Sequence, residues 1–123
     1  MPVSVIVIAQ RDQSIAQGLA NALRVHFTRI LVAENAEELR SLLLRHEARV
    51  TVVDMEILSL EEISQLANTF SNLAIVATHR SPDERMWVDV LNAGAVELCR
   101  PQDIRSILRA SSTATMRHLA MAS

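Results

Sequence analysis

The sequence predicts a five-stranded parallel α/β sandwich, a (βα)5 chain with helices on both faces of the sheet. Three observations carry this. Five short runs of β-branched and apolar residues alternate with five stretches of helical periodicity. The strand runs are apolar throughout rather than alternating, as strands covered on both faces are. Four of the five helical stretches open on a capping residue, Asp, Asn or Ser. Strand and helix in strict alternation imply parallel pairing through helical crossovers.

Val3 to Ala9 (VSVIVIA) is the first strand, a β-branched run. Asp12 then reads as an N-cap, and Ile15, Leu19, Leu23 and His26 recur at helical spacing, predicting a helix over Gln13 to His26. Ile30 to Ala33 is a short second strand. "NAEE" at Asn35 to Glu38 resembles a capping box, and Leu39, Leu42, Leu43 and His46 mark one face of the helix behind it. Val50 to Val53 is the third strand. "SLEE" at Ser59 to Glu62 opens the third helix, with Leu60, Ile63, Leu66 and Phe70 expected inward. Leu73 to Ala77 is the fourth strand. "SPDE" gives the fourth helix a cap at Ser81, Pro82 at its first position and Glu84 closing the box; Gly94 ends it as the residue just past the helix. Val96 to Cys99 is the fifth strand. A last helix follows from Gln102, with Ile104, Ile107 and Leu108 inward. From about residue 111 the chain is small and polar, a tail that either prolongs this helix or frays.

Length and composition set the bounds. A chain of 123 residues that is half apolar makes one domain with one core. A net charge of −2 gives no broad attraction for nucleic acid or anionic membrane. No apolar run is long enough to span a bilayer, and no secretory leader opens the chain. Cys99 is alone, so intrachain disulfides and multi-cysteine metal sites are excluded. The expectation is a cytoplasmic protein. All 12 basic residues are Arg, and Tyr is absent.

The third strand runs straight into a carboxylate: "VTVVDMEI", with Asp54 at its end. In a parallel sheet every strand-to-helix loop lies on one edge, where sites of this architecture are built. That edge gathers Gln10, Arg11 and Asp12, then Asp54, Met55 and Glu56, then Thr78, His79 and Arg80, then Arg100 and Pro101. A solvated strand end and a chemical site are both consistent with that list.

Asp54 at the end of the third strand, Thr78 at the end of the fourth, "NAGA" at Asn92 to Ala95 and Arg100-Pro101 after the fifth stand in one order. In that order the chain resembles the receiver domain of two-component response regulators, a flavodoxin-like fold, from Val3 to about Leu108. The resemblance implies Asp54 as phosphoacceptor, Thr78 as switch hydroxyl, Arg100 as the substitute for the family's phosphoryl-pairing lysine and Pro101 as a cis proline. It implies magnesium at the acid, a sensor histidine kinase or phosphotransfer protein as partner, and homodimerisation through the face of the fourth helix, fifth strand and fifth helix. It implies no enzyme beyond phosphoryl acceptance and self-dephosphorylation.

The chain departs from that pattern where the chemistry sits. The family's acidic pair falls on Gln10 and Arg11, an amide and a cation where a hard cation wants anionic oxygen. Only Asp54 remains as a weak magnesium ligand. Asp12 stands one place late; Asp12, Glu56 and His79 complete the possible pocket. His79 follows Thr78 where the family keeps a very small residue, so an imidazole is expected to crowd the site. "GAVELCRP" is one residue short, and Leu98 or a neighbour replaces the usual aromatic. Two readings of Arg11 stay open: a guanidinium paired with Asp54 in place of the metal, or a solvated side chain.

Two functions follow: a phosphorelay receiver weakly phosphorylated on Asp54, or a pseudo-receiver acting as an interaction or dimerisation module without phosphate. A small-molecule-binding flavodoxin-like protein is the distant third. No output segment follows the last helix in this sequence, and a stand-alone protein and a domain of a longer one both stay open. The histidines (His26, His46, His79, His118) are scattered without metal-ligand spacing, and two glycines make no phosphate loop. Cys99 reads as core, and so does Trp87, with the dimerisation face as the second reading for Trp87.

Overall fold

The structure is a computed structural model that describes residues 4–112. Val3, His118 and the tail from residue 113 lie outside the described residues. The elements run β1 (Val5–Ala9), α1 (Gln13–Leu23), β2 (Arg29–Ala33), α2 (Ala36–Arg45), β3 (Val50–Asp54), α3 (Leu60–Thr69), β4 (Ala74–Thr78), α4 (Glu84–Ala93) and β5 (Glu97–Cys99). A last helix, α5, covers 104–112 of the described residues.

The strand order is β2-β1-β3-β4-β5, with every pairing parallel. The predicted fold is the one found. Successive side chains leave a strand on opposite faces, so β1 feeds two layers. Val7 and Ala9 pack with Val53, Ile75 and Ala77 under Leu39 and Leu43 of α2, Ile63 and Leu66 of α3 and Val90 of α4. Ile6 and Ile8 pack with Val52 and Val76 under Leu19 and Leu23 of α1 and Ile107 of α5. All five residues of β1, β3 and β4 are buried, which is why these strands carry no polar alternation.

Caps set several boundaries. Asp12 accepts from the N–H groups of Ser14 and Ile15, and Asn35 from Glu38 N–H. Ser59 and Glu62 form a complete capping box. Leu58, just outside that cap, is buried with Ile63 in the same layer, a hydrophobic staple. Leu58 thereby takes the inward place expected of Leu60, which is 38% exposed.

Three further expectations are corrected. α1 ends at Leu23, not His26, because Val25 and His26 face solvent and the N–H groups of His26 and Phe27 fold back onto Leu23 O. α4 is capped by Asp83 rather than Ser81: the Asp83 carboxylate accepts from Met86 N–H, while Ser81 N–H is held by the His79 ring. Trp87 is not core. It is 45% exposed on α4, its indole N–H donating to Glu97 Oε1 at 3.1 Å. Gly94 closes α4 as expected, at φ 115°.

Candidate functional site

The chain turns back between β1 and β3: β2 lies to one side of β1, and β3, β4 and β5 to the other. At such a switch point the loops after the two central strands part and leave a crevice at their carboxyl ends. The loop after β1 supplies Gln10 and Arg11 there, and β3 ends on Asp54.

Register sets the site. Ala9 pairs with Val53 and Asp54 with Thr78, so Gln10, the residue just past β1, follows level with Asp54 and Thr78 at the ends of β3 and β4. Level residues share a face. Asp54 is 9% exposed. Its Oδ2 accepts from Arg11 N–H at 3.2 Å and its Oδ1 from Glu56 N–H at 2.8 Å. Its carbonyl accepts from the N–H groups of Ile57 and Leu58, which fixes the loop after β3. The carboxylate is thus bound by backbone from the two loops beside it.

Gln10 is 2% exposed and Thr78 fully buried. Gln10 Nε2 donates to Thr78 Oγ1 at 2.8 Å, and Thr78 Oγ1 donates to Val53 O at 3.4 Å. The Thr78 hydroxyl therefore has both an intrinsic donor and an intrinsic acceptor. Both polar side chains are buried and satisfied, as low-dielectric surroundings require.

Glu56 collects the cations at the rim. Its carboxylate lies 3.3 Å from Arg80 Nε and 3.8 Å from an Arg11 terminal nitrogen. The Arg11 guanidinium is largely solvated and engages Glu56, so of its two readings the pairing with Asp54 is not what forms; only its backbone N–H touches the acid. Ion pairs this exposed contribute little to stability.

The remaining expected site residues are placed as follows. Asp12 is the α1 cap, its carboxyl held below the ordinary value first by the Ser14 hydroxyl and then by the amides of Ile15 and Ser14. The His79 ring accepts from Ser81 N–H through Nδ1, ordering the loop before α4. Arg100 is exposed and makes no ion pair among the described residues. The bond before Pro101 is trans, which corrects the expected cis proline. Asp103 N–H donates to Arg100 O, so Pro101 is the second residue of a β-turn, a position that suits a trans proline with φ near its locked value. Cys99 is buried, and desolvation first, with Asp103 and Glu97 second, pushes its thiol up to about 12.

Magnesium does not fit these residues. The described residues hold no group of three or more His, Cys, Asp or Glu side chains suited to a metal. Asp54 is one carboxylate, Glu56 is engaged by two arginines, and the Gln10 amide is committed to Thr78. A cation held by one or two carboxylates finds Asp54 alone here, both its oxygens already accepting from backbone N–H groups.

The Gln10–Thr78 bond was not legible in the sequence. Its signal was there: a polar residue directly after a fully apolar strand, as with Asp54.

No family model and no curated protein matches the chain. Solved structures do. A response regulator from Thermotoga maritima superposes with a TM-score of 0.81 at 18% identity, over 90% of this chain and 99% of that one. A CheY-like response regulator receiver domain protein from Methanospirillum hungatei JF-1 gives 0.80 at 15% identity, over 94% and 99%. A response regulator protein from Burkholderia pseudomallei, solved with a phosphorylated aspartic acid, a calcium ion and citrate, gives 0.78 at 21%, over 97% and 73%. The fold is that of response-regulator receiver domains. Among the described residues no helix is long and apolar enough to cross a membrane.

Proposed function

We propose that this chain is a pseudo-receiver: a receiver-fold signalling module, cytoplasmic and without turnover of its own, that engages partners without phosphorylation of Asp54. One observation carries the reading. The Gln10 amide already holds the Thr78 hydroxyl that a phosphoryl group on Asp54 would have to recruit. Two features support it. Asp54 is satisfied by backbone amides, and the residues around it do not make a magnesium site. Charge on a transferring phosphoryl group would then lack the cation that normally offsets it.

A second reading, a weak phosphoacceptor in a phosphorelay fed by a histidine kinase or phosphotransfer protein, is favoured by one feature. Asp54 and Thr78 keep the level pairing of an acceptor and its switch hydroxyl. The partner face in either reading is that of α4, β5 and α5, where Trp87 and Val88 are exposed; dimerisation would use the same face.

Incubation with acetyl phosphate and magnesium, read by intact mass, separates the two. The pseudo-receiver gains no phosphoryl group. A magnesium-dependent gain of one phosphoryl group, lost in Asp54→Asn, overturns the proposal in favour of the second reading.

A further inference from the structure

The sheet has a second edge, at the amino ends of its strands. There, an open pocket of about 820 Å³ lies where α2 and α3 end. Val5, Leu43 and Phe70 give it an apolar lining; Arg29, Arg49 and His46 give it basic groups.

The register brings the two arginines together. Arg29 pairs with Val5 on one side of β1. Ile6 pairs with Val50, so Arg49 stands level with Val5 on the other side. Level residues project from the same face, here the face of Val7 and Ala9, beneath α2 and α3. Their Cα atoms are two strand spacings apart, about 9–10 Å. Two arginine side chains reach across that gap to one shared group.

Helix C-termini attract cations, which offers a purely structural role for both arginines. The hydrogen bonds do not bear it out. The carbonyls of Leu42 and Leu66 are taken by the cap N–H groups of His46 and Phe70. Neither the Arg29 nor the Arg49 guanidinium has a hydrogen bond or ion pair among the described residues. Glu47 is the one carboxylate in the lining, and it pairs with neither. Two guanidinium forks thus face one carboxylate in the lining, over an apolar floor.

We propose that this pocket binds a small organic anion: a phosphate-like oxyanion group carried on an apolar ring. The forks of Arg29 and Arg49 take the oxyanion in bidentate fashion. Val5, Leu43 and Phe70 take the ring, the usual division of labour in a small-molecule site. The site is at the opposite end of the strands from Asp54 and does not depend on the reading of that acid.

The test is an amide NMR titration at physiological ionic strength with phenylphosphonate, whose P–C bond prevents any phosphoryl transfer to Asp54. Saturable shifts are expected at Val5, Arg29, Arg49 and Phe70, with Kd of about 1 mM or tighter. The double variant Arg29→Gln/Arg49→Gln, on exposed positions, weakens binding at least about tenfold. Methylphosphonate, which keeps the charge and lacks the ring, binds more weakly. The absence of saturable shifts, unchanged binding in the double variant, or equal affinity for methylphosphonate would each overturn the proposal.

Discussion

Gln10 and Thr78 are joined by a buried hydrogen bond, Nε2 to Oγ1 at 2.8 Å, that passes over the end of β3 and links the strands on either side of it. β1 and β4 lie two strand spacings apart, about 10 Å, a gap the long Gln10 side chain closes. The bond holds the ends of three strands at one level, and Asp54 sits on the middle one.

That bond has a measurable coupling. Thr78→Val leaves the Gln10 amide buried without its acceptor, and Gln10→Leu leaves the Thr78 hydroxyl with Val53 O alone. Each single change is expected to cost about 1–3 kcal/mol. The double variant removes both partners and costs less than the sum, with a coupling of about 1 kcal/mol or more. Urea unfolding of the four proteins measures it. Additive losses would show that the bond contributes nothing beyond its parts.

Much of the fold was legible because its signals are local. The apolar runs of β1, β3 and β4 and the capping box at Ser59 are each written within a few residues. The site was legible only in part. Asp54 and Thr78 stand out at strand ends, but the partner of Thr78 is 68 residues away in sequence, and only sheet register brings Gln10 to it. The choice between the two readings of Arg11 was open for a similar reason. Two carboxylates stood within reach, and nothing in the sequence says that Asp54 is satisfied by backbone while Glu56 is turned to the rim. At α4, Ser81 and Asp83 are both good caps; Asp83 takes the Met86 N–H, while Ser81 N–H donates to the His79 ring in the loop before it. Trp87 has the spacing of a core residue, yet its indole N–H needs an acceptor and finds Glu97 on the surface.

Gly94 is expected to tolerate no side chain. Its φ is 115°, and a Cβ there would lie 2.5 Å from Ala67 Cβ. Gly94→Ala combines left-handed strain with a clash between α3 and the end of α4. A loss of at least about 1–3 kcal/mol is expected in chemical denaturation. A loss below about 0.5 kcal/mol would mean the turn rearranges freely.

Stability should fall in acid partly through two capping aspartates. Asp12 accepts from the hydroxyl and N–H of Ser14 and from Ile15 N–H; Asp103 accepts from the hydroxyl and N–H of Ser106. In both, the serine hydroxyl is the largest cause holding the carboxyl below its ordinary 3.8. A depressed folded pKa means the unfolded chain takes up protons first as pH falls. The contribution is therefore full above the unfolded pKa and is lost as pH falls through the folded one. Tm should decline below about pH 4. In Asp12→Asn/Asp103→Asn the cap acceptors remain but no longer titrate, so the decline becomes shallower. An identical acid limb in the variant would assign it to other groups.

The central claim is that Asp54 sits in a site closed by the protein's own groups. The most direct measurement is an amide NMR titration with magnesium and then beryllofluoride, with Asp54→Asn as control. The expected result is no saturable shift at Asp54, Thr78 or α5 in the wild type while the protein stays folded. Saturable shifts around Asp54 and Thr78 that vanish in Asp54→Asn would contradict it, showing that Gln10 releases Thr78 and that the site answers to a phosphoryl group after all.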